Sequence, residues 1–153
     1  MKEGFFPEYS ARFATVVDNL RGHRVVVLGH RRPDGDCIGS QVALTRCLIA
    51  LGIEAIAINP DSVPRTLQGF VGDTPFGGPD ALSEGELVSV YVDCAERQRS
   101  GNDLSERFSK PVLNVDHHVS NEGFAEVDIV LPDASATGEI LAGLFLDNDY
   151  PVD

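Results

Sequence analysis

The chain of 153 residues has no tryptophan, one methionine and three cysteines. Cys37, Cys47 and Cys94 are odd in number and lack the pair spacing of a zinc site, so neither a disulfide framework nor a thiolate metal site is expected. They read as small buried hydrophobes, and a reducing cytoplasm is the natural compartment. Basic residues are scarce: 12 Lys and Arg stand against 24 Asp and Glu, a net charge of −12. That argues against a non-specific grip on duplex nucleic acid, which needs a basic surface. Short nucleotides stay open, because a bound metal reverses the local field. No apolar run approaches the roughly 18 residues of a membrane span. The start, Met1 to Glu8, lacks the basic region and apolar core of a signal peptide. Three familiar catalytic signatures are also missing: the Gly-x-x-x-x-Gly-Lys-Ser/Thr phosphate loop, the Gly-x-Ser-x-Gly elbow and His-Glu-x-x-His.

What is present is ordered around Gly29-His30-Arg31-Arg32-Pro33-Asp34-Gly35-Asp36-Cys37-Ile38-Gly39-Ser40. Val25 to Leu28 before it is a short β-branched run, a buried strand. Ala43, Leu44, Cys47, Leu48 and Leu51 after it have helical spacing, which predicts a helix from about Ile38 to Leu51 with Gly52 as the stop. One His and two Asp therefore occupy a turn between a strand and a helix. Ligands of open α/β sheets bind at such turns.

The remaining chain repeats this alternation. Tyr9 to Leu20 reads as an amphipathic helix ended by Gly22. Glu54 to Ile58 is a second strand, followed by a turn at Asn59-Pro60-Asp61-Ser62. Pro64 to Phe70 allows one or two helical turns, and Gly72 to Pro79 reads as a loop. Leu87 to Asp93, Pro111 to Val115 and Val127 to Leu131 are further strands. Arg97 to Phe108 is partly helical, and Thr137 to Asp147 is a helix. Strands alternating with helices imply an α/β fold, a doubly wound parallel sheet with right-handed crossovers and helices on both faces.

The acidic and His motifs all fall where a strand gives way to a loop: His30, Asp34 and Asp36; then Asp93; then Asp116, His117 and His118. Singly, each has an ordinary explanation. Asp36 could cap the following helix and Asp93 could end its strand. A lone His30 or His117 is commonly a hydrogen-bonded structural residue. Together they are harder to dismiss. Two carboxylates about 4 Å apart repel by about 4 kcal/mol at an effective dielectric of about 20. Several converging Asp need a counter-charge, and a divalent cation with His and carboxylate ligands provides it. Two such ions would clamp a phosphoryl group, and Asp93, between the other groups in sequence, is suited to bridging them. Mixed His and Asp ligation without thiolate suits Mn²⁺ better than Mg²⁺ or structural Zn²⁺.

Gly29 to Ser40, Val92-Asp93 and Val115-Asp116-His117-His118 resemble, in order, the motifs of the DHH phosphoesterase superfamily. The first motif, together with Asp133-Ala134-Ser135-Ala136-Thr137-Gly138-Glu139-Ile140-Leu141, looks most like the branch of oligoribonucleases that also remove a phosphate from 3′-phosphoadenosine 5′-phosphate (pAp). The resemblance implies hydrolysis of short RNA or pAp with two Mn²⁺ ions. His30 and Asp34 would hold one, Asp36 and His117 the other, and Asp93 would bridge. His118 would face the substrate phosphate, with Asp116 orienting a His. It also implies a second, substrate-binding domain with a cleft between the two, and leaves a homodimer open. Residues 1–153 correspond to the N-terminal DHH domain alone. The chain stops at Asp153, ahead of the family's fourth motif, an Asp of the second metal site, so that site is expected to be incomplete here. A manganese inorganic pyrophosphatase is the alternative within the superfamily. A non-catalytic nucleotide- or metal-sensing module is the alternative outside it. Arg97 and Arg99 are further candidates for phosphate contact.

Overall fold

The computed structural model describes residues 3–152. Six parallel strands form one sheet: β1 Arg24–Leu28, β2 Glu54–Ile58, β3 Phe76–Gly77, β4 Val88–Val92, β5 Leu113–Asp116 and β6 Val127–Val130, in the order β3-β2-β1-β4-β5-β6. The helices are α1 Pro7–Leu20, α2 Gly35–Ala50, the single turn α3 Gln68–Val71, α4 Asn102–Arg107 and α5 Thr137–Asp147. From β1 the chain steps outward to β2 and β3. It then returns to β4, on the other side of β1, and steps outward to β5 and β6. The switch point is therefore between β1 and β4, where an open sheet of this kind leaves a crevice at its carboxyl edge.

Strand residues alternate between two covered faces, which is why β1 reads as a continuous apolar run from Val25 to Leu28. Val25, Val27, Val90, Val92, Leu113, Val115 and Ile129 join the core formed with α1, α2 and α5. Val26, Leu28, Ile58 and Tyr91 face the opposite way, against Leu104 of α4 and Phe108. Tyr91 satisfies its buried hydroxyl by donating to the Phe108 carbonyl at 3.1 Å. All three cysteines are free and buried.

Three local features depart from the sequence reading. Gly72 to Pro79 is not wholly loop: Phe76 and Gly77 pair with Ala57 and Ile58 as a two-residue edge strand, too short to leave a periodic pattern. The helix after the first motif starts three residues earlier than its apolar spacing indicates, at Gly35. Its cap is Asp34, not Asp36; the Asp34 carboxylate accepts the Cys37 N–H at 2.9 Å.

Candidate metal centre

Asp93 follows β4 directly, and its carboxylate is the middle of the site. Its side chain is 2% exposed. Its backbone is left-handed, with φ of 59°. That conformation costs a non-glycine residue roughly 1–2 kcal/mol, with Asp among the few that adopt it singly. Asp93 still donates its N–H to the Val115 carbonyl at 2.9 Å, so the turn away from the strand occurs with the ladder intact.

The two carboxylate oxygens of Asp93 face two different groups. Oδ2 lies 3.2 Å from His30 Nε2, and that nitrogen lies 3.9 Å from Asp34 Oδ1. Oδ1 lies 3.5 Å from His117 Nε2, which is also 3.5 Å from Asp36 Oδ2. The strand ends of β1, β4 and β5 and the first turn of α2 thus bring His30, Asp34, Asp36, Asp93 and His117 together at the switch point.

Side chains and peptide groups around these residues hold their orientation. His30 Nδ1 is 2.7 Å from the Arg31 carbonyl, which can only accept. Nδ1 therefore carries the proton, and in the neutral ring Nε2 presents its lone pair to the centre, as a metal-ligating imidazole must. Asp36 sits at the amino end of α5, accepting the Thr137 N–H at 3.0 Å and the Gly138 N–H at 2.9 Å. Helix amino ends favour negative charge there. The buried Thr137 hydroxyl donates to Asp93 Oδ1 at 3.0 Å. The Asn59 amide donates to the His30 carbonyl at 3.0 Å and to Gln41 Oε1 at 3.1 Å. Gln41 in turn donates to Val27 and Ile58 carbonyls.

His118 belongs to a neighbouring pair. Its Nδ1 lies 2.6 Å from Oδ1 of the fully buried Asp116, whose Oδ2 accepts from Asn121 at 2.9 Å. Its ring lies 4.6 Å from that of His117. Asp116 occupies Nδ1 of His118 and leaves its Nε2 free. His117, His118 and Asp93 form a second three-residue group close enough to hold a cation, with His117 the one that also meets Asp36.

The electrostatics fit a cation. Burial pushes the Asp93 carboxyl above its ordinary range, and the Asp36 charge adds to this against the pull of the His30 and Thr137 hydrogen bonds. The His30 imidazole is held up to about 11, chiefly by its hydrogen bond to Asp93. In the metal-free protein a proton on His30 thus supplies positive charge that the carboxylates require. Cys37 is close enough to His30 and Asp93 to complete a three-residue ligand group. Burial, however, raises its thiol pKa, and its sulfur already donates to Gln41 and accepts the His30 N–H. It packs as a neutral thiol, and the O/N donor set of the other residues fits a hard or borderline divalent ion.

Thr137, Gln41, Asn59 and Asn121 carried no individual signal in the sequence. Ala136, which precedes α5 and has no capping side chain, leaves amide donors at that helix end for another partner. Only the fold identifies the partner as Asp36.

Residues 24–152 match the model of the DHH family, N-terminal domain. Over 141 residues the chain is 32% identical to the bifunctional oligoribonuclease and PAP phosphatase NrnA of Thermus thermophilus, covering 90% of this chain and 42% of that protein. It is 32% identical over 99 residues to a probable manganese-dependent inorganic pyrophosphatase of Streptococcus mutans, covering 62% of this chain and 31% of that one. The fold is shared with the crystal structure of an exopolyphosphatase-related protein from Bacteroides fragilis, with a TM-score of 0.78 and 23% identity over 92% of this chain and 43% of that one. The chain spans less than half the length of these curated relatives.

Proposed function

The chain belongs to the DHH family as its N-terminal domain, and on that footing we propose that it is the metal-holding part of a phosphoesterase acting on short oligoribonucleotides or pAp. The observation that carries this is the position of Asp93, one carboxylate oxygen beside His30 and the other beside His117. In this reading Asp93 would be shared between two Mn²⁺ ions, His30 and Asp34 would hold one, and Asp36 and His117 would hold the other. Bound metal supplies Lewis acidity and an activated water for in-line attack at phosphorus. The chain's own groups do the remaining work. Thr137 and the amino end of α5 hold the carboxylates in place. Asp116 fixes the His118 ring through Nδ1, and that imidazole meets the substrate phosphate. Further length, such as the relatives possess beyond the matched region, would contribute to substrate recognition.

The match to a manganese pyrophosphatase keeps pyrophosphate as a second substrate to test. The Asp133 to Leu141 segment, which builds the Thr137 contacts, favours the nucleotide reading by its resemblance to that branch. The test is Mn²⁺-dependent product release from a 5′-phosphorylated diribonucleotide, pAp and pyrophosphate in parallel, using the chain alone and within any longer parent protein. Turnover of the nucleotides that is lost in Asp93→Ala is the expected result. Turnover of pyrophosphate alone would assign the alternative substrate. Mn²⁺ binding with no turnover of any of the three would reduce the chain to a sensing or binding module.

A further inference from the structure

Beyond the carboxyl ends of β2 and β3 lies a cleft of about 370 Å³ that the metal centre does not use. Its walls include Asn59, Asp61, Ser62, Gln68, Val71 and Phe76. We propose that this cleft is a nucleoside site, holding the base and ribose of a substrate whose phosphate reaches the carboxylate–histidine centre. The proposal rests on the phosphoesterase reading above and adds to it a recognition surface on this chain itself.

Position is the first argument. The cleft lies on the same carboxyl edge of the sheet as the centre, over β2 and β3, with β1 between it and the β1–β4 switch point. A larger cleft of about 510 Å³ includes Val88, Val112 and Val127, at the opposite ends of the strands, and has no comparable relation to the centre. The second argument is physical linkage. Arg32 donates its N–H to Asp61 Oδ2 at 2.6 Å, and Asp61 donates its own N–H to Asn59 Oδ1 at 3.0 Å. Asn59 in turn holds the His30 carbonyl. The cleft wall and the ligand-bearing turn are therefore one hydrogen-bonded unit. Arg32 is left-handed, with φ of 53°, a strained state that persists where surrounding contacts impose it.

The third argument is chemistry. The volume is that of a small-molecule site, which typically occupies about 300–1,000 Å³. Val71 and Phe76 offer apolar surface to a base, and stacking on an aromatic side chain contributes about 1–3 kcal/mol per base. Ser62 and Gln68 supply polar groups at its edges. In nucleotide-binding sheets of this strand order an acidic residue takes the ribose hydroxyls. Here Asp61, just after β2, uses Oδ2 for Arg32 and retains Oδ1 as an acceptor. The fourth argument is charge. Arg31 and Arg32 are exposed and, like Arg12, Arg65, Arg97, Arg99 and Arg107, make no ion pair among the described residues. In a chain of net charge −12, two such cations on the turn between His30 and Asp34, tied to the cleft through the Arg32 N–H and Asp61, suit the phosphate of a bound nucleotide.

Ser62 is exposed and makes no side-chain hydrogen bond among the described residues, so Ser62→Leu narrows the cleft without removing a structural contact or adding a stacking surface. Steady-state kinetics with the Mn²⁺-loaded protein and a 5′-phosphorylated diribonucleotide should show KM raised on the order of tenfold. The kcat and the Mn²⁺ affinity should be unchanged. An unchanged KM, or loss of Mn²⁺ affinity along with it, would overturn the proposal. If the wild-type protein turns over no nucleotide, the phosphoesterase reading fails, and the cleft is judged by binding alone. Adenosine 5′-monophosphate should then shift the amide resonances of Asn59, Ser62 and Gly77, and Ser62→Leu should weaken those shifts. No shift at these positions with millimolar nucleotide would overturn the site independently of catalysis.

Discussion

At the scale of single residues, the proposed roles of Asp93 and His30 predict a pH dependence of metal binding. His30 is held up to about 11 by Asp93, so at neutral pH a metal ion must displace its proton. The sign follows directly: raising the pH makes that displacement easier. Between about pH 6 and 9, Mn²⁺ affinity should rise by about tenfold per pH unit, with about one proton released per ion bound at His30. Calorimetric titration in buffers of different ionisation enthalpy counts the protons; pH-independent affinity without release would remove His30 from the ligand set. Thr137 provides a second prediction. Its hydroxyl is Asp93's hydrogen-bond donor on the His117 side, and loss of a comparable outer contact costs about 10–100-fold in metal affinity. Thr137→Val should show that loss in a Mn²⁺ titration, and Thr137→Ser should restore most of it. An equal loss in both variants would indicate a packing defect rather than the missing hydroxyl.

At the scale of elements, the close fit between β1, the turn after it and α2 is a geometric requirement on the sequence. A Cβ added at Gly29 would stand 2.4 Å from Gln41 Oε1 and 2.6 Å from Cys37 Sγ. Gln41 cannot withdraw freely, because its amide joins the carbonyls of Val27 on β1 and Ile58 on β2. Gly29→Ala should therefore destabilise the protein by roughly 1–3 kcal/mol and weaken metal binding through displacement of His30. Chemical denaturation and Mn²⁺ titration would read the two effects, and an unperturbed midpoint would show that the turn relaxes without cost. Strands and helices here were largely legible in advance. β2 and α5 have the extents that their apolar patterns predict, because the core selects the same faces that the patterns mark. The start of α2 was not legible, since Gly35 and Asp36 are placed by the Asp34 cap and by the needs of the site, not by hydrophobic period. β3 was not legible because two residues carry no period at all.

At the scale of the whole molecule, the centre joins both halves of the sheet: His30 comes from the β1 side and Asp93 and His117 from the β4 and β5 side. A bound ion should stabilise the folded state as a unit. At a free concentration of 100 times its Kd, Mn²⁺ should add about 2.7 kcal/mol, a rise in Tm of roughly 5–10 °C for a chain of this size. Calorimetry with and without EDTA checks this; equal Tm values would mean that no site of useful affinity exists. Among the described residues, no helix is long and apolar enough to cross a membrane.

The sequence by itself determined the chemistry of the candidate centre and its places along the chain. His, Asp and Gly punctuate the ends of apolar runs, and those local signals survive folding because strands, turns and caps depend on short-range geometry. It also determined that the sheet is parallel, since its strands alternate with helices along the chain. The tertiary structure decided what long-range pairing alone can decide. It set β1 beside β4 and so made a switch point. It gave the Asp93 oxygens separate histidine neighbours, turned the amino end of α5 toward Asp36 across 101 residues of chain, and tied the turn after β2 to the backbone of His30. Each of these contacts joins residues that share no periodic pattern, so their partnership exists only once the sheet has brought them together.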